Sequence, residues 1–414
     1  MRNQKIVVLL SSLLLLFIFQ NCAPFGSFST KDSSFALGTT TPSGSLGQDP
    51  GQPFAPPTTP SPIILPGQGL RNLYVHPQGS DTHSGTMASP FRTIAKALSL
   101  ATPGYSIHVA DGVYKEKLRL NQSGTPEAYI SILSENKWGA KILALDSAAS
   151  GTAFDIRGSY VLIDGFEVDG SASQWTVGIN VAGTGDIVSN CLVHHIYNTG
   201  VANGSGGAGI LLDSWYGFNN MQALSNVVHH VGPATGGSSW YHGIYQTATG
   251  NIFNNIVYAN TGGGIHLWHD VNHVNVSNNT SFGNGHGFLF GGGDFVNTTG
   301  PADYVNFTNN ISFDNDGIGF DEEGQVGPHN KFTQNLSFQN GTNWRLKLAS
   351  HSGDVTADPQ FVNYIRGGGG DYHLKSNSPA IDQGSTMLAP ATDYDGLPRP
   401  QGSGIDLGAY EFKL

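Results

Sequence analysis

Charge is scarce in this chain: only 12% of its 414 residues are Asp, Glu, Lys or Arg, and the net charge is −11. An acidic balance of that size excludes a nucleic-acid footprint, so no nucleic-acid partner is expected. Cysteine occurs twice, at Cys22 and Cys191, which excludes a disulfide framework and leaves Cys191 as a buried thiol behaving like a small hydrophobe. Long apolar runs are also missing. The stretch IVVLLSSLLLLFIF, residues 6–19, is too short for a comfortable membrane span. Between Gly158 and Asn330 there is no Lys or Arg at all, although the same span holds thirteen acidic residues and ten histidines. What is abundant is glycine, 56 residues, which points away from helices and toward many short strands and turns.

Arg2 and Lys5 precede the apolar run, and FQNC follows it, ending at Cys22. This resembles a bacterial lipoprotein signal, although Asn21 stands where that pattern wants a small residue. The resemblance implies acylation of Cys22, export, and a membrane contact through the lipid anchor only; simple secretion is the alternative. Residues 23–70 are rich in Pro, Ser, Thr and Gly and read as a tether. The expected organisation is a leader over 1–22, a linker over 23–70 and one folded domain over 71–414, acting as a monomer.

At the start of that domain, Ser89 and Pro90 predict a helix entry, with Phe91, Ile94, Ala95 and Leu98 on one face and Pro103-Gly104 as the stop. Strands are expected at 106–110 and 115–120. Beyond them a period emerges. Asn190, Asn226, Asn255, Asn279, Asn310 and Asn335 each head a short apolar strand, at spacings of 36, 29, 24, 31 and 25. Gly178-Ile179, Gly209-Ile210, Gly243-Ile244, Gly264-Ile265 and Gly287-Phe288 form a second register. Strands this short are stable only when stacked, copy over copy, with like side chains superimposed. The expected fold is all-β: a right-handed parallel β-helix with an N-terminal capping helix.

The segment carrying Tyr74-Val75, Gly79-Ser80-Asp81, Gly85-Thr86, Ser89-Pro90-Phe91, Thr93-Ile94, Gly112, Tyr114 and Glu116 resembles the opening of secreted right-handed parallel β-helix proteins, including the family 9 pectate lyases. That opening introduces lyases, epimerases, hydrolases and non-enzymatic surface proteins alike. The residues from Asp358 onward resemble the closing segment of the same class, and Asp393 and Asp395 there are either calcium ligands or an ordinary Asp-Gly turn.

Side chains alternate along a strand, so with Ile265 and Leu267 inward, His266 and Trp268 point out. The same count turns Tyr245 and Thr247 outward. Asp213 and Trp215 lie one coil earlier, and Trp240, Tyr241, His242, His269 and His286 complete a cluster of rings expected on one outer surface. Exposed rings beside polar groups suit the CH faces of sugars; singly, such rings more often pack a loop.

Cleaving a polyuronate by β-elimination requires neutralising the carboxylate and removing the α-proton. The resemblance implies calcium for the first task. Asp321, Glu322 and Glu323 are the densest acidic triplet and the expected metal ligands, a solvated turn being the alternative. For the base, Arg345 and Lys347 compete with His242 and His266. Gly285-His286-Gly287 and Arg345-Leu346-Lys347 are similar to motifs of family 28 glycoside hydrolases, yet the paired carboxylates that hydrolysis needs are not found. Three readings therefore stand open: a calcium-assisted lyase on an acidic glycan, a non-catalytic glycan-binding surface module, and a polygalacturonase-like hydrolase.

Overall fold

The computed structural model describes residues 71–145, 150–197, 206–233 and 240–413. Cys22, the leader and the linker lie outside the described residues.

Three parallel sheets run the length of the coiled region. The first has eleven strands, from Arg71–Val75 to Ser350–Ser352; the second has nine, from Leu118–Leu120 to Thr342–Arg345; the third has nine, from Gly112–Lys115 to Leu336–Phe338. Each coil contributes one strand to each sheet in turn, which is the right-handed parallel β-helix expected. The glycine register is a column of core positions: Ile179, Ile210, Ile244, Ile265, Phe288 and Phe320 pair in sequence along the second sheet. The glycine before each has a packing cause. A Cβ on Gly264 would lie 2.4 Å from Ser281 Oγ, and one on Gly287 2.1 Å from Ser312 Oγ, because the third sheet's side chains fill that corner. From Phe288 onward the core column turns aromatic, with Phe288, Phe320 and Trp344 stacked at 4.7 and 4.5 Å.

The asparagine period is a hydrogen-bonded ladder at the turn between the first and third sheets. Asn226, Asn255, Asn279, Asn310 and Asn335 are fully buried; Nδ2 and the backbone N–H of each of the first four donate to the Oδ1 of the next at 2.9–3.0 Å, and Asp354 Oδ1 ends the ladder by accepting from Asn335 N. Asn190 is not a rung. It sits one residue too early, at φ 53°, in the column of left-handed turn residues that includes Asn254, Asn278 and Asn309. The rung in that coil is Cys191, whose N–H donates to Asn226 Oδ1 at 3.0 Å and whose buried thiol burial pushes well up. A second ladder, Asn260, Asn284, Asn315 and Asn340, closes the turn between the third and second sheets and was not foreseen.

The capping helix, α1 (Ile94–Leu98), is shorter than its sequence suggests. Its N-cap is Thr93, not Ser89, and Thr93 Oγ1 accepts from Lys96 N at 3.2 Å. Phe91 is instead extended and paired with Val75, so that its ring enters the core. Glu116 reaches across to accept from the Ile94 and Ala95 N–H groups. Coiling ends at Ser352. The remaining residues fold back over the outer face of the third sheet, placing Phe361, Tyr372, Leu374, Leu407 and Tyr410 against Tyr258, Phe282, Ile311 and Phe313. Neither Asp393 nor Asp395 is free for a cation. Asp393 accepts from the Asp395, Leu397 and Glu411 N–H groups, and Asp395 pairs with His373. Among the described residues no helix is long and apolar enough to cross a membrane.

Candidate functional site

The outward side chains of the second sheet form a ladder of their own. In register, coil upon coil, stand Asp155, Asn180, Leu211, Tyr245, His266, Leu289, Asp321 and Arg345. Tyr245, His266 and Trp268 stand on the outer side of the coil, as side-chain alternation predicts, but they are not exposed. Tyr245 and His266 are each 1% exposed and His242 2%. Trp215, Trp240 and Trp268 are half-buried, and Tyr241 points into the core. Trp215 and Trp268 pack with Val177, Ala208, Leu211 and Tyr245 as a small apolar cluster outside the coil core. The sheet face is roofed, not bare.

Part of the roof is the segment from Gly293 to Gly300, and its anchor is Asp270, which the sequence reading passed over. Asp270 is buried and accepts from the N–H groups of Val296, Asn297 and Thr298, each at 3.0 Å. Asn297 Nδ2 then donates to Ser214 O at 2.7 Å, drawing the segment back over earlier coils. His269 Nδ1 meets Asp294 O at 3.1 Å, and Trp268 packs against Gly291, Gly293 and Gly324, where a Cβ would crowd its ring. Asp213 is buried below, accepting from Trp215 N at 2.9 Å, with burial raising its carboxyl above the usual range.

His242 and His266 form a relay whose protons can be assigned. The Gly263 N–H donates to His242 Nδ1 at 2.9 Å, so that nitrogen carries the lone pair and Nε2 carries the hydrogen. His242 Nε2 therefore donates to His266 Nδ1, also at 2.9 Å, which puts the proton of His266 on Nε2. His266 Nε2 has no hydrogen-bond partner, and the ring stacks on Tyr245 at 4.7 Å. Both rings are neutral: burial, with the nearby His286, brings His242 down to about 3, and burial with His242, His269 and His286 holds His266 well below the ordinary value. The site is thus a backbone-driven chain ending in a buried N–H donor. The base assigned to His242 or His266 finds no free lone pair on either ring in this arrangement.

The relay carries a pH prediction. A histidine whose folded pKa is depressed to about 3 stays neutral while the unfolded chain takes up its proton. The stability this gives is complete above the unfolded value and is lost as pH falls from about 6.5 toward 3, by about 1.4 kcal/mol per pH unit per ring. His242→Gln is expected to flatten the decline in urea-unfolding stability between about pH 6.5 and about pH 5 by that slope. An unchanged slope would refute the neutral relay.

Two coils beyond His266 the face becomes charged. Asp321, fully buried, takes Arg345 Nε on Oδ1 and Nη2 on Oδ2 at 2.7 Å each, and His286 Nδ1 lies 3.2 Å from the same Oδ2. Arg345 Nη2 also donates to Glu323. These hydrogen bonds, to Asp321 first, raise the Arg345 pKa still further, so the guanidinium is a fixed cation and not a base. Glu322 has the opposite parity. Its carboxylate accepts from the Lys347, Leu348 and Ala349 N–H groups at 2.7–2.9 Å, while Lys347 Nζ donates to Gly324 O. Asp321, Glu322 and Glu323 accordingly do not converge, and as arranged they do not fit a calcium ion, which wants six to eight oxygens around one centre.

One concavity, about 610 Å³, lies away from this face, where residues 390–396 cross the first sheet. Lys137 lines it, with Nζ 4.1 Å from the Tyr394 ring centroid and donating to Tyr394 Oη. Burial lowers its pKa, but its contacts belong to the seam that holds the C-terminal segment.

A family model described as "Pel9A-like, right handed beta helix region" matches residues 73–354. The chain is 25% identical over 355 residues to pectate lyase PEL9 of Emericella nidulans, spanning 71% of this chain and 80% of that protein. It is 25% identical over 303 residues to pectate lyase L of Dickeya chrysanthemi, spanning 66% of each. Among solved structures, that of pectate lyase Pel9A superposes with a TM-score of 0.56 at 19% identity, over 82% of this chain and 96% of that one. The match ends two residues after the last coil strand, so coils and profile describe the same unit. The chain belongs to the Pel9A-like right-handed β-helix family.

Proposed function

We propose that this chain is polysaccharide-active, engaging an acidic glycan along the outer face of the second sheet and cleaving it by β-elimination. The single observation carrying the reading is the half-exposed Arg345 guanidinium, held on Asp321 at 2.7 Å in the outward column of the second sheet that also bears the half-buried Trp215 and Trp268. A reachable fixed guanidinium suits a uronate carboxylate and the accessible edges of the two tryptophans suit sugar faces, while Tyr245 and His266 lie beneath the roof and support that face from below. The relatives named as pectate lyases support elimination as the chemistry. Calcium would supply charge neutralisation if bound, but the acidic triplet is already committed to Arg345 and backbone amides.

A second reading, glycan binding without cleavage, is favoured by one observation: His242, His266 and Arg345 all have their lone pairs or charges occupied, leaving no free base among them. The hydrolase reading gains nothing, since Asp321 is tied to Arg345 and the neighbouring rungs are Leu289 and His266.

The test is ultraviolet absorbance of unsaturated product after incubation with pectate, alginate or chondroitin, with calcium and with EDTA. Rising absorbance that falls at least about tenfold in Arg345→Ala is the expected result, one lost electrostatic contact being worth roughly that much. Flat traces with retained glycan binding on an affinity gel would assign the non-catalytic role. Neither cleavage nor binding would refute the site.

A further inference from the structure

At the corner where the third sheet hands the chain to the second, well away from the roofed face, histidines occur as doublets. His194 ends one strand and His195 follows it, and His229 and His230 do the same on the strand paired directly above. The rings stack in two columns, His194 on His229 at 5.0 Å and His195 on His230 at 4.9 Å. Within each doublet the two Nδ1 atoms face each other at 2.7 Å. Asp169 pairs with His194 from the coil below, and its Oδ1 lies 3.8 Å from His194 Nδ1.

We propose that Asp169, His194 and His195 form a binding site for a late first-row divalent metal ion, of which zinc is the probe. Their ligand atoms all lie within 4.8 Å of one another, and no other set of three or more such residues among the described residues converges so closely. Two ligands at about 2.0 Å around a tetrahedral ion stand about 3.3 Å apart. The observed 2.7 and 3.8 Å bracket that separation and the third pair lies within 4.8 Å, so side-chain rotation without backbone movement would bring the three onto one ion.

The protons are arranged to permit it. His194 Nε2 faces the Glu167 carboxylate at 3.0 Å, and a carboxylate only accepts, so Nε2 carries the hydrogen and Nδ1 keeps its lone pair. A carboxylate on the far nitrogen is the usual support of a metal-bound imidazole. The 2.7 Å contact then requires the proton of the pair to sit on His195 Nδ1. Binding needs only that this proton move to His195 Nε2, on an exposed ring, with no net change in charge. Asp169 Oδ1 already accepts from Ser171 N at 2.9 Å and keeps a second lone pair. Opposing the ion is Lys141, whose Nζ is 3.7 Å from Asp169 Oδ2, but it is held closer to Glu167, at 2.7 Å. Imidazole nitrogens favour zinc, copper or nickel over calcium, which separates this site from any calcium used in glycan cleavage. The exposed side leaves a coordination position for water. The His229–His230 doublet repeats the imidazole pair with Tyr258 and no carboxylate on its next coil, and it is the internal control.

The experiment equilibrates the metal-free full chain, without a histidine tag, with zinc, then desalts it and measures retained metal by mass spectrometry alongside titration calorimetry. One zinc per chain is expected, with affinity reduced at least about tenfold in Asp169→Asn and in His195→Ala and unchanged in His230→Ala. His195 is exposed, so its loss leaves the fold intact, which near-ultraviolet circular dichroism verifies. Retention of zinc by both weakened variants, or none by the parent chain, overturns the assignment. The glycan assay above does not depend on this result.

Discussion

Asn279→Leu is expected to lower the stability of the folded chain by more than about 3 kcal/mol, the sum of several buried polar groups left without partners. Asn279 Oδ1 accepts two hydrogen bonds from Asn255, and its Nδ2 donates to Ile252 O, Ser277 O and Asn310 Oδ1. A leucine satisfies none of these and leaves both neighbouring rungs half-bonded. An outer asparagine series on the first sheet provides the comparison. Asn275 is half-buried and donates only to Asn251 Oδ1 while accepting from Asn306 Nδ2, so Asn275→Ala should cost about 1 kcal/mol or less. Urea midpoints followed by circular dichroism decide the matter. Equal losses in the two variants would mean that burial of the ladder contributes nothing beyond its hydrogen bonds.

The second large effect belongs to Arg399. Its side chain is 1% exposed, pairs with the fully buried Glu411, and donates to Gly408 O, Ala409 O, Asp406 O and Asn254 Oδ1. Arg399→Met leaves a carboxylate in the interior with no cation, a loss of about 3–5 kcal/mol. The segment after Ser352 should then detach, uncovering Phe282 and Phe313. Limited proteolysis is expected to cut the variant within that segment while the coils remain intact. Arg399→Met combined with Glu411→Leu should recover much of the loss, because the uncompensated charge is gone. Failure of the double variant to recover would place the effect in lost packing, not in charge.

The fold was legible because a solenoid writes its period into the chain. The Gly-Ile or Gly-Phe register marks corner and core in the six central coils, from Gly178 to Phe320, and each structural position repeats there before insertions obscure it. What was missed lay at single-residue scale. Asn190 and Cys191 exchange roles because both asparagine columns are polar and adjacent, and only backbone handedness separates them. At the candidate site, alternation gave the side of the sheet on which Tyr245 and His266 stand. It could not give their burial, because parity fixes the direction of a side chain and not what later packs over it. The doublets at His194-His195 and His229-His230 are plain in the sequence, as LVHH and VVHH. Their link to Asp169 requires knowing that the strand below stops at the same height, which is a matter of register and not of composition.

A stack in which every tier touches only the next should peel from its exposed end, one tier at a time. Here the returning C-terminal strip lies crosswise to the tiers, like a stave nailed over hoops. It fastens Asn254 through Thr392, Asn278 through Asp406 and Gly408, and Asn309 through Ser385. Three tiers are thereby pinned to one strip, so a load drawn along the long axis meets them together, and that half of the molecule gives way in a single step.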